Sequence, residues 1–429
     1  MRFLALLVIL LLTGAAIAPI SAGGSPPAVT TPVETDVATP TPSAPIAGDG
    51  DTDQTGAANM TAANGSNVTQ ILAVPGPAVQ RTELDDATLT LGPSTRFAGN
   101  ITAVRIETIA VERHILETDD QDERSRRIIA AFSTIEQEVI TLRGRQRAAI
   151  EAFNRGDLSP EAFVIELATI AARADAMEDR VSMLSARADE IEGFSLARSN
   201  PVTYELRAFG GPVRERAIAA MSGDAGPTRF FVTTGSEGYE LTTIDNETYV
   251  REAYRGAVRS GDADASIDAN DAINVTKDSY PGVVANSDTS ATVSGTTAIV
   301  TQSYGSASLT AFVDAESERV FKEYQRIPLT AFTTGPNESN VLNGIQITVN
   351  RTYPGGPMRI HVTDAENGEP VNLTVTLSQG PSAGTALGRT GDDGVLWTLS
   401  PRGQFTVTAV GEETSAAFLE TNSTDAPEI

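Results

Sequence analysis

The sequence predicts a multidomain α+β protein: an antiparallel helical hairpin, a small α+β layer, and a C-terminal all-β sandwich. Three observations predict it. Apolar residues recur at alternating spacings of four and three between 128 and 191, which is a helical seam. Short alternating runs bounded by Gly, Asn and Asp turns follow at 228–244 and 290–324, and runs of the same kind fill 340–421. The chain of 429 residues has room for about three domains at roughly 150 residues each.

Composition narrows the class. With 40% apolar residues the chain is not wholly disordered. It has no cysteine, which excludes disulfides, thiolate metal sites and cysteine nucleophiles. A net charge of −25 argues against nucleic acid as a partner, since that affinity comes from Lys and Arg neutralising phosphates. Among the 31 basic residues only Lys277 and Lys322 are lysine. An acidic, lysine-poor surface suits molar salt, where screening removes carboxylate repulsion and hydration is kept.

The chain opens as a secretory signal over 1–22: Met1-Arg2, the apolar run Phe3 to Leu12, then Ile20-Ser21-Ala22 before Gly23. A rival cleavage point after Ala18 puts Pro19 beside the scissile bond. If it stays uncleaved, Phe3 to Ile20 comes close to the length of a spanning anchor. Residues 23–78 are rich in Pro, Thr, Ala, Gly and Ser, as in Ala38-Thr39-Pro40-Thr41-Pro42, and read as a disordered, glycosylated tether. Ten of 17 asparagines head an Asn-x-Ser/Thr triplet: Asn59, Asn64, Asn67, Asn100, Asn246, Asn274, Asn337, Asn350, Asn372 and Asn422. These are the glycosylation candidates.

Residues 79–200 form the helical hairpin domain. One seam runs Ile128, Phe132, Ile135, Val139, Leu142, Gln146, Ala149, Phe153; the other runs Phe163, Leu167, Ile170, Ala174, Met177, Val181, Leu184, Ala188, Ile191. Between them Gly156 suits a left-handed helix terminus, Ser159 an N-cap and Pro160 the first helical position. Phe97, Ile101, Val104, Thr108, Val111 and Ile115 give a weaker third seam. The stripes serve as each other's core; a sharper alternative leaves an apolar face for a partner helix, with Ile165 and Met183 pointing outward.

Residues 201–261 read as a small α+β segment: weak alternation over Pro201 to Phe209, a helix over Pro212 to Met221, a hairpin of Thr228–Thr234 and Tyr239–Ile244, and a helix over Tyr249–Val258. In 262–332 a short helix carries Ala272-Ile273 and ends at Tyr280-Pro281-Gly282. Strands follow, closed by a Val313-Asp314-Ala315 turn. This order resembles a PepSY-type module, and the resemblance implies an extracytoplasmic, inhibitory or regulatory part acting beside a catalytic partner. It carries over no catalytic residue.

In 340–421, Asp364 precedes Gly368-Glu369-Pro370-Val371, the alternating Leu373 to Leu377, the turn Gly391-Asp392-Asp393-Gly394 and the strand Gln404 to Val410. The pattern resembles an extracellular Ig-like sandwich of the carboxypeptidase-regulatory type, with Trp397 in its core. Taken in order, the parts resemble a family of secreted haloarchaeal proteins of unknown function.

Chemistry is sparse. His114 and His361 fall in different domains, so they make neither a metal cluster nor a Ser-His-acid set. Asp262 to Asp268 has the alternating oxygens of a calcium loop, but Ile267 and Ile273 stand where its glycine and glutamate belong; a helix N-terminus capped by Ser266 explains it better. The reading is therefore no catalytic, cofactor or metal residue, no cofactor, and a non-catalytic secreted or cell-surface interaction protein of a halophilic archaeon. Its expected partner is an envelope protein such as a membrane protease or sensor, with membrane contact only through an uncleaved N-terminal segment. A structural envelope glycoprotein, or a secreted hydrolase with an unrecognised acidic site, are the alternatives.

Overall fold

The computed structural model describes residues 70–74, 81–87, 91–226, 228–259, 264–284, 287–380, 384–411 and 415–427. The signal segment 1–22, the tether except for 70–74, and the sequons Asn59, Asn64 and Asn67 lie outside the described residues. The chain is multidomain, with an N-terminal helical region and C-terminal antiparallel sheets. Strand β1 (Arg81–Ala87) precedes helices α1 (Leu91–Leu116), α2 (Gln121–Asn154), α3 (Pro160–Asp189), α4 (Ser199–Arg207) and α5 (Pro212–Ser222). Strands β2 (Thr228–Thr234), β3 (Gly238–Asp245) and β4 (Thr248–Arg255) follow, then α6 (Ala269–Ser279) and α7 (Pro281–Val284). Next come β5 (Asp288–Ser294), β6 (Thr297–Tyr304), β7 (Ala307–Asp314) and β8 (Arg319–Pro328). The C-terminal strands are β9 (Asn337–Leu342), β10 (Ile345–Asn350), β11 (Pro357–Asp364), β12 (Thr374–Ser378), β13 (Thr385–Arg389), β14 (Val395–Leu399), β15 (Gln404–Val410) and β16 (Ala416–Asn422). Among the described residues no helix is long and apolar enough to cross a membrane.

Helices α2 and α3 pack antiparallel. Ion pairs Arg145–Glu166, Glu138–Arg173 and Arg124–Glu190 run in opposite order along the two helices, and every position of both predicted seams is buried. The turn behaves as its residues dictate: Gly156 has φ 81°, the Ser159 side chain accepts from the Ala162 amide, and Pro160 opens α3. Val164, Ala168, Thr169 and Ala171 are buried as well, because α3 is also covered by α1, α4 and α5. Ile165 and Met183 pack against this same core, which corrects the reading of them as an outward face. The third seam lies along α3. There the buried Arg180 donates to Thr108 Oγ1 at 3.1 Å and to the Val104 carbonyl at 3.3 Å.

Gly144 sits exposed in mid-α2, and a Cβ there meets nothing within 4 Å. Gly144→Ala is therefore expected to raise stability by roughly 0.5–1 kcal/mol through reduced unfolded-state entropy. A thermal melt with no gain would contradict this.

A single antiparallel sheet runs β1-β2-β3-β4-β8-β7-β6-β5, and it corrects two expectations. Tyr249–Val258 is not a helix; Thr248–Arg255 is β4, near the sheet's centre. Its apolar residues Tyr249, Val250, Ala253 and Tyr254 mimic a helical stripe because both faces of the strand are buried. The boundary drawn at 261/262 also crosses this sheet, since β4 pairs with β8 over seven positions. Pro201–Phe209, read as weakly alternating, lies largely within α4. Asp268, not Ser266, caps α6 by accepting the Asn270 and Asp271 amides at 2.7 and 2.9 Å.

The remaining strands form two sheets, β14-β11-β10-β9 and β13-β12-β15-β16. They bury one shared cluster that includes Ile347, Ile360, Val375, Phe405 and Leu419. Trp397 is not in that core. It faces the eight-stranded sheet beside Phe231, Tyr249, Ile327 and Leu399, where Thr242 Oγ1 donates to the Gly355 carbonyl at 2.7 Å.

Candidate functional site: charge buried on both faces of the central strands

Side chains alternate across a strand, so residues paired across a ladder share a face. In the β4–β8 ladder Glu252 opposes Tyr324 and Tyr254 opposes Lys322 on the helical face; Arg251 opposes Gln325 and Ala253 opposes Glu323 on the other. Both faces are covered, and both carry full charges out of solvent: Arg251, Glu252, Lys322 and Glu323 are all fully buried. Such groups persist only when paired or hydrogen-bonded.

On the helical face the charges hold the turn between α4 and α5. Arg214 Nε donates to Glu252 Oε1 at 2.9 Å and its Nη2 to the Gly210 carbonyl at 2.5 Å. Lys322 Nζ donates to the Ala208 carbonyl and, at 2.5 Å, to the Gly210 carbonyl. The Tyr324 hydroxyl donates to the Gly210 carbonyl at 2.5 Å. Gly211 makes this approach possible, since a Cβ there would stand 1.6 Å from Glu252 Oε2. Burial holds the Lys322 pKa well below the ordinary 10.5, Arg214 adds to the shift and Glu252 opposes it. The folded state therefore binds this proton less tightly than the unfolded chain, and this group's contribution to stability rises as pH climbs from its folded pKa toward 10.5. For Glu252 burial raises the pKa against the pull of Arg214 and Lys322. Its contribution is greatest below 4.5 and declines as pH rises through its folded pKa. Burial opposes the charge on Arg214, but Glu252, Tyr239 and Tyr324 together outweigh it and keep that pKa above the ordinary arginine value.

The opposite face holds a strap, residues 70–74. Glu323 Oε2 accepts the Leu72 amide at 3.0 Å and the Tyr280 hydroxyl at 2.5 Å. Arg251 Nη2 donates to the Leu72 carbonyl at 2.9 Å, and Arg251 ion-pairs with both Glu323 and Glu240. Arg255 Nε donates to the Ala73 carbonyl at 2.6 Å, and Gln325 Nε2 to the Gln70 carbonyl at 2.8 Å. The Leu72 side chain is buried with Ala253, Ala272, Tyr280 and Val320. The Ile71 amide donates to the Pro427 carbonyl at 3.0 Å, so the strap also meets the C-terminal tail. Residues 70–74 fall inside the range read as disordered tether, yet they are packed, because buried side chains replace the ladder partners a strand would use.

The arrangement clamps main chain from two sides; it brings no nucleophile to an accessible base. His114 is exposed on α1 beside Glu117, and His361 is on β11, where burial first and Arg359 second lower its pKa. Among the described residues no group of three or more His, Asp or Glu is placed to hold a metal ion. Asp393 Oδ1 accepts the Val395 amide at 3.1 Å, as a turn residue does. Of the sequons described, Asn100, Asn246, Asn274, Asn337, Asn372 and Asn422 are exposed. Asn350 is buried, and its side-chain amide donates to the Thr333 carbonyl at 3.4 Å. The buried charges escaped the sequence reading. The signal available was two adjacent charge pairs, Arg251-Glu252 and Lys322-Glu323, each inside a run of apolar residues, one of them holding a rare lysine.

Three family models match. Residues 2–226 match the family described as Domain of unknown function (DUF7096), more than half of the chain. The chain belongs to the DUF7096 family. The matched region ends just past α5 and so holds Gly210 and Arg214, whereas Glu252, Lys322 and Tyr324 lie beyond it. Residues 230–333, which hold β3 to β8 and most of β2, match a Family of unknown function (DUF7094). Residues 336–418 match an Archaeal fibronectin-III type-like domain. The Ig-like reading of the C-terminal domain therefore stands, in the fibronectin-III type and not the carboxypeptidase-regulatory type. No curated protein matches the chain.

Proposed function

We propose that this DUF7096 member is a non-catalytic, exported interaction or regulatory protein at the surface of a halophilic archaeon, held at its N-terminal side by a glycosylated tether. The observation that carries this reading is the clamp. Four buried side chains grip the main chain of the strap, so load or motion in the preceding segment enters the central sheet directly. A catalytic protein would need accessible reactive groups, whereas the charge here is spent on holding backbone. The acidic, lysine-poor composition and the exposed sequons support a saline, extracellular address. The PepSY-type reading of 262–332 draws support from α6 lying on β5, β6, β7 and β8 with Ala272 and Tyr280 buried. The shared cluster of the two C-terminal sheets supports a sandwich, and the buried seams of α2 and α3 support coiled-coil-like packing.

Protease shaving of intact cells in molar salt should release fragments of the C-terminal domains into the medium. Recovery of the chain only from the cytosol would overturn the reading. Salt provides a second test. Below about 0.5 M the Debye length exceeds roughly 4 Å and carboxylates repel unscreened, so circular dichroism should show loss of structure on dialysis to low salt. An unchanged spectrum would count against the halophilic address.

A further inference from the structure

The groove on the strap side recognises main chain. One amide and three carbonyls of residues 70–74 are taken by Glu323, Arg251, Arg255 and Gln325; Ile71 and Leu72 are both buried, and Leu72 is the one that enters the core under the groove. All four groove side chains are more than nine-tenths buried. Such a site reads an extended segment with two adjacent buried aliphatic residues and is indifferent to how that segment is joined to the rest of its chain.

Two further features border the strap at its ends. At the Gln70 end, Gln302 and Gln325 lie in one row across β6, β7 and β8. Both polar atoms of the Gln302 side chain and the Oε1 of Gln325 are buried without a partner. At the other end a cavity of 280 Å³ opens beside Leu72, lined by Arg255, Val275, Asp278, Ser279 and Arg319.

The geometry points to strap exchange: the groove of one copy receives residues 70–74 of a second copy. The groove already fits this segment, so the second copy is the partner whose complementarity is on view. Residues 70–74 precede β1 in sequence by residues 75–80, and exchange replaces the same contacts in trans at little cost in contact energy. The cis arrangement has a short linker and thus an effective concentration on the order of millimolar. Exchange therefore needs crowding, which surface anchoring supplies; in this the inference rests on the proposed location, although the test below does not.

The test uses two full-length variants in molar salt. The acceptor, Leu72→Asp, keeps its groove and disables its strap. The donor, Arg251→Met/Glu240→Gln/Glu323→Gln, keeps its strap and disables its groove, with the arginine and both of its carboxylates removed together so that no charge of the set is left buried alone. Circular dichroism establishes that each is folded, and Leu72→Ala and Glu323→Gln serve as milder acceptor and donor if either is not. Light scattering should give a monomer for each alone and a doubled mass for the mixture, and adding Leu72→Asp to the donor should return the mixture to monomers. Folded variants that stay monomeric when mixed at millimolar concentration overturn the proposal, as does a heterodimer that survives loss of Leu72 from the donor. Neither result depends on where the protein resides.

Discussion

Arg251→Met is expected to cost about 3–5 kcal/mol, because it leaves buried carboxylates without their counter-charge. Arg251 neutralises both Glu323 and Glu240, whose side chains are 0% and 10% exposed. It also holds the Leu72 carbonyl, so the strap should become a site of proteolytic cleavage in the variant. Urea unfolding at molar salt should show the loss directly as a lowered midpoint. Adding Glu323→Gln should restore a large part of it, since the two residues are coupled. A loss under 1 kcal/mol would show that the charge pair carries little.

Gly211→Ala is expected to destabilise by a similar amount, about 3–5 kcal/mol, through the other face of the same strands. The backbone at Gly211 has φ 165°, an extended value any residue adopts, so the cost is not conformational. It comes from the new Cβ, which would stand 1.6 Å from Glu252 Oε2 and 3.2 Å from Arg214 Nη2. Glu252 must withdraw, Arg214 loses its partner, and the turn held by Lys322 and Tyr324 shifts. The comparison with Gly144→Ala is decisive, because the same chemical change is expected to have opposite sign at the two positions. Equal melting temperatures for Gly211→Ala and the parent would mean the turn can move away from β4 without cost.

Much of the helical region could be read before any coordinates. The 4-3 spacing named the buried residues of α2 and α3, and Gly156, Ser159 and Pro160 located the turn, because helix periodicity and capping are local properties of adjacent residues. The hairpin of β2 and β3 was legible for the same reason. β4 was not. Its charged residues occupy buried positions, and a strand buried on both faces has lost the alternation that identifies it. Trp397 was assigned to the wrong core by the same limitation: alternation told which residues share its face, but not which sheet that face meets.

The sequence by itself determined the composition-bound properties: an acidic, cysteine-free, lysine-poor chain with ten sequons and a seamed helical pair. These follow from counts and from spacings shorter than a few helical turns. Only the tertiary structure decided that Arg251 meets Leu72, 179 residues away, that Leu72 reaches Glu323, 251 residues away, and that Lys322 reaches Ala208. It also decided that Asn350 is enclosed while six other described sequons face solvent. A buried charge is tolerable only beside its partner, and neither member of such a pair alters the local pattern around the other. Periodicity therefore marks apolar positions and leaves ionic ones looking like surface until the sheet brings the partners together.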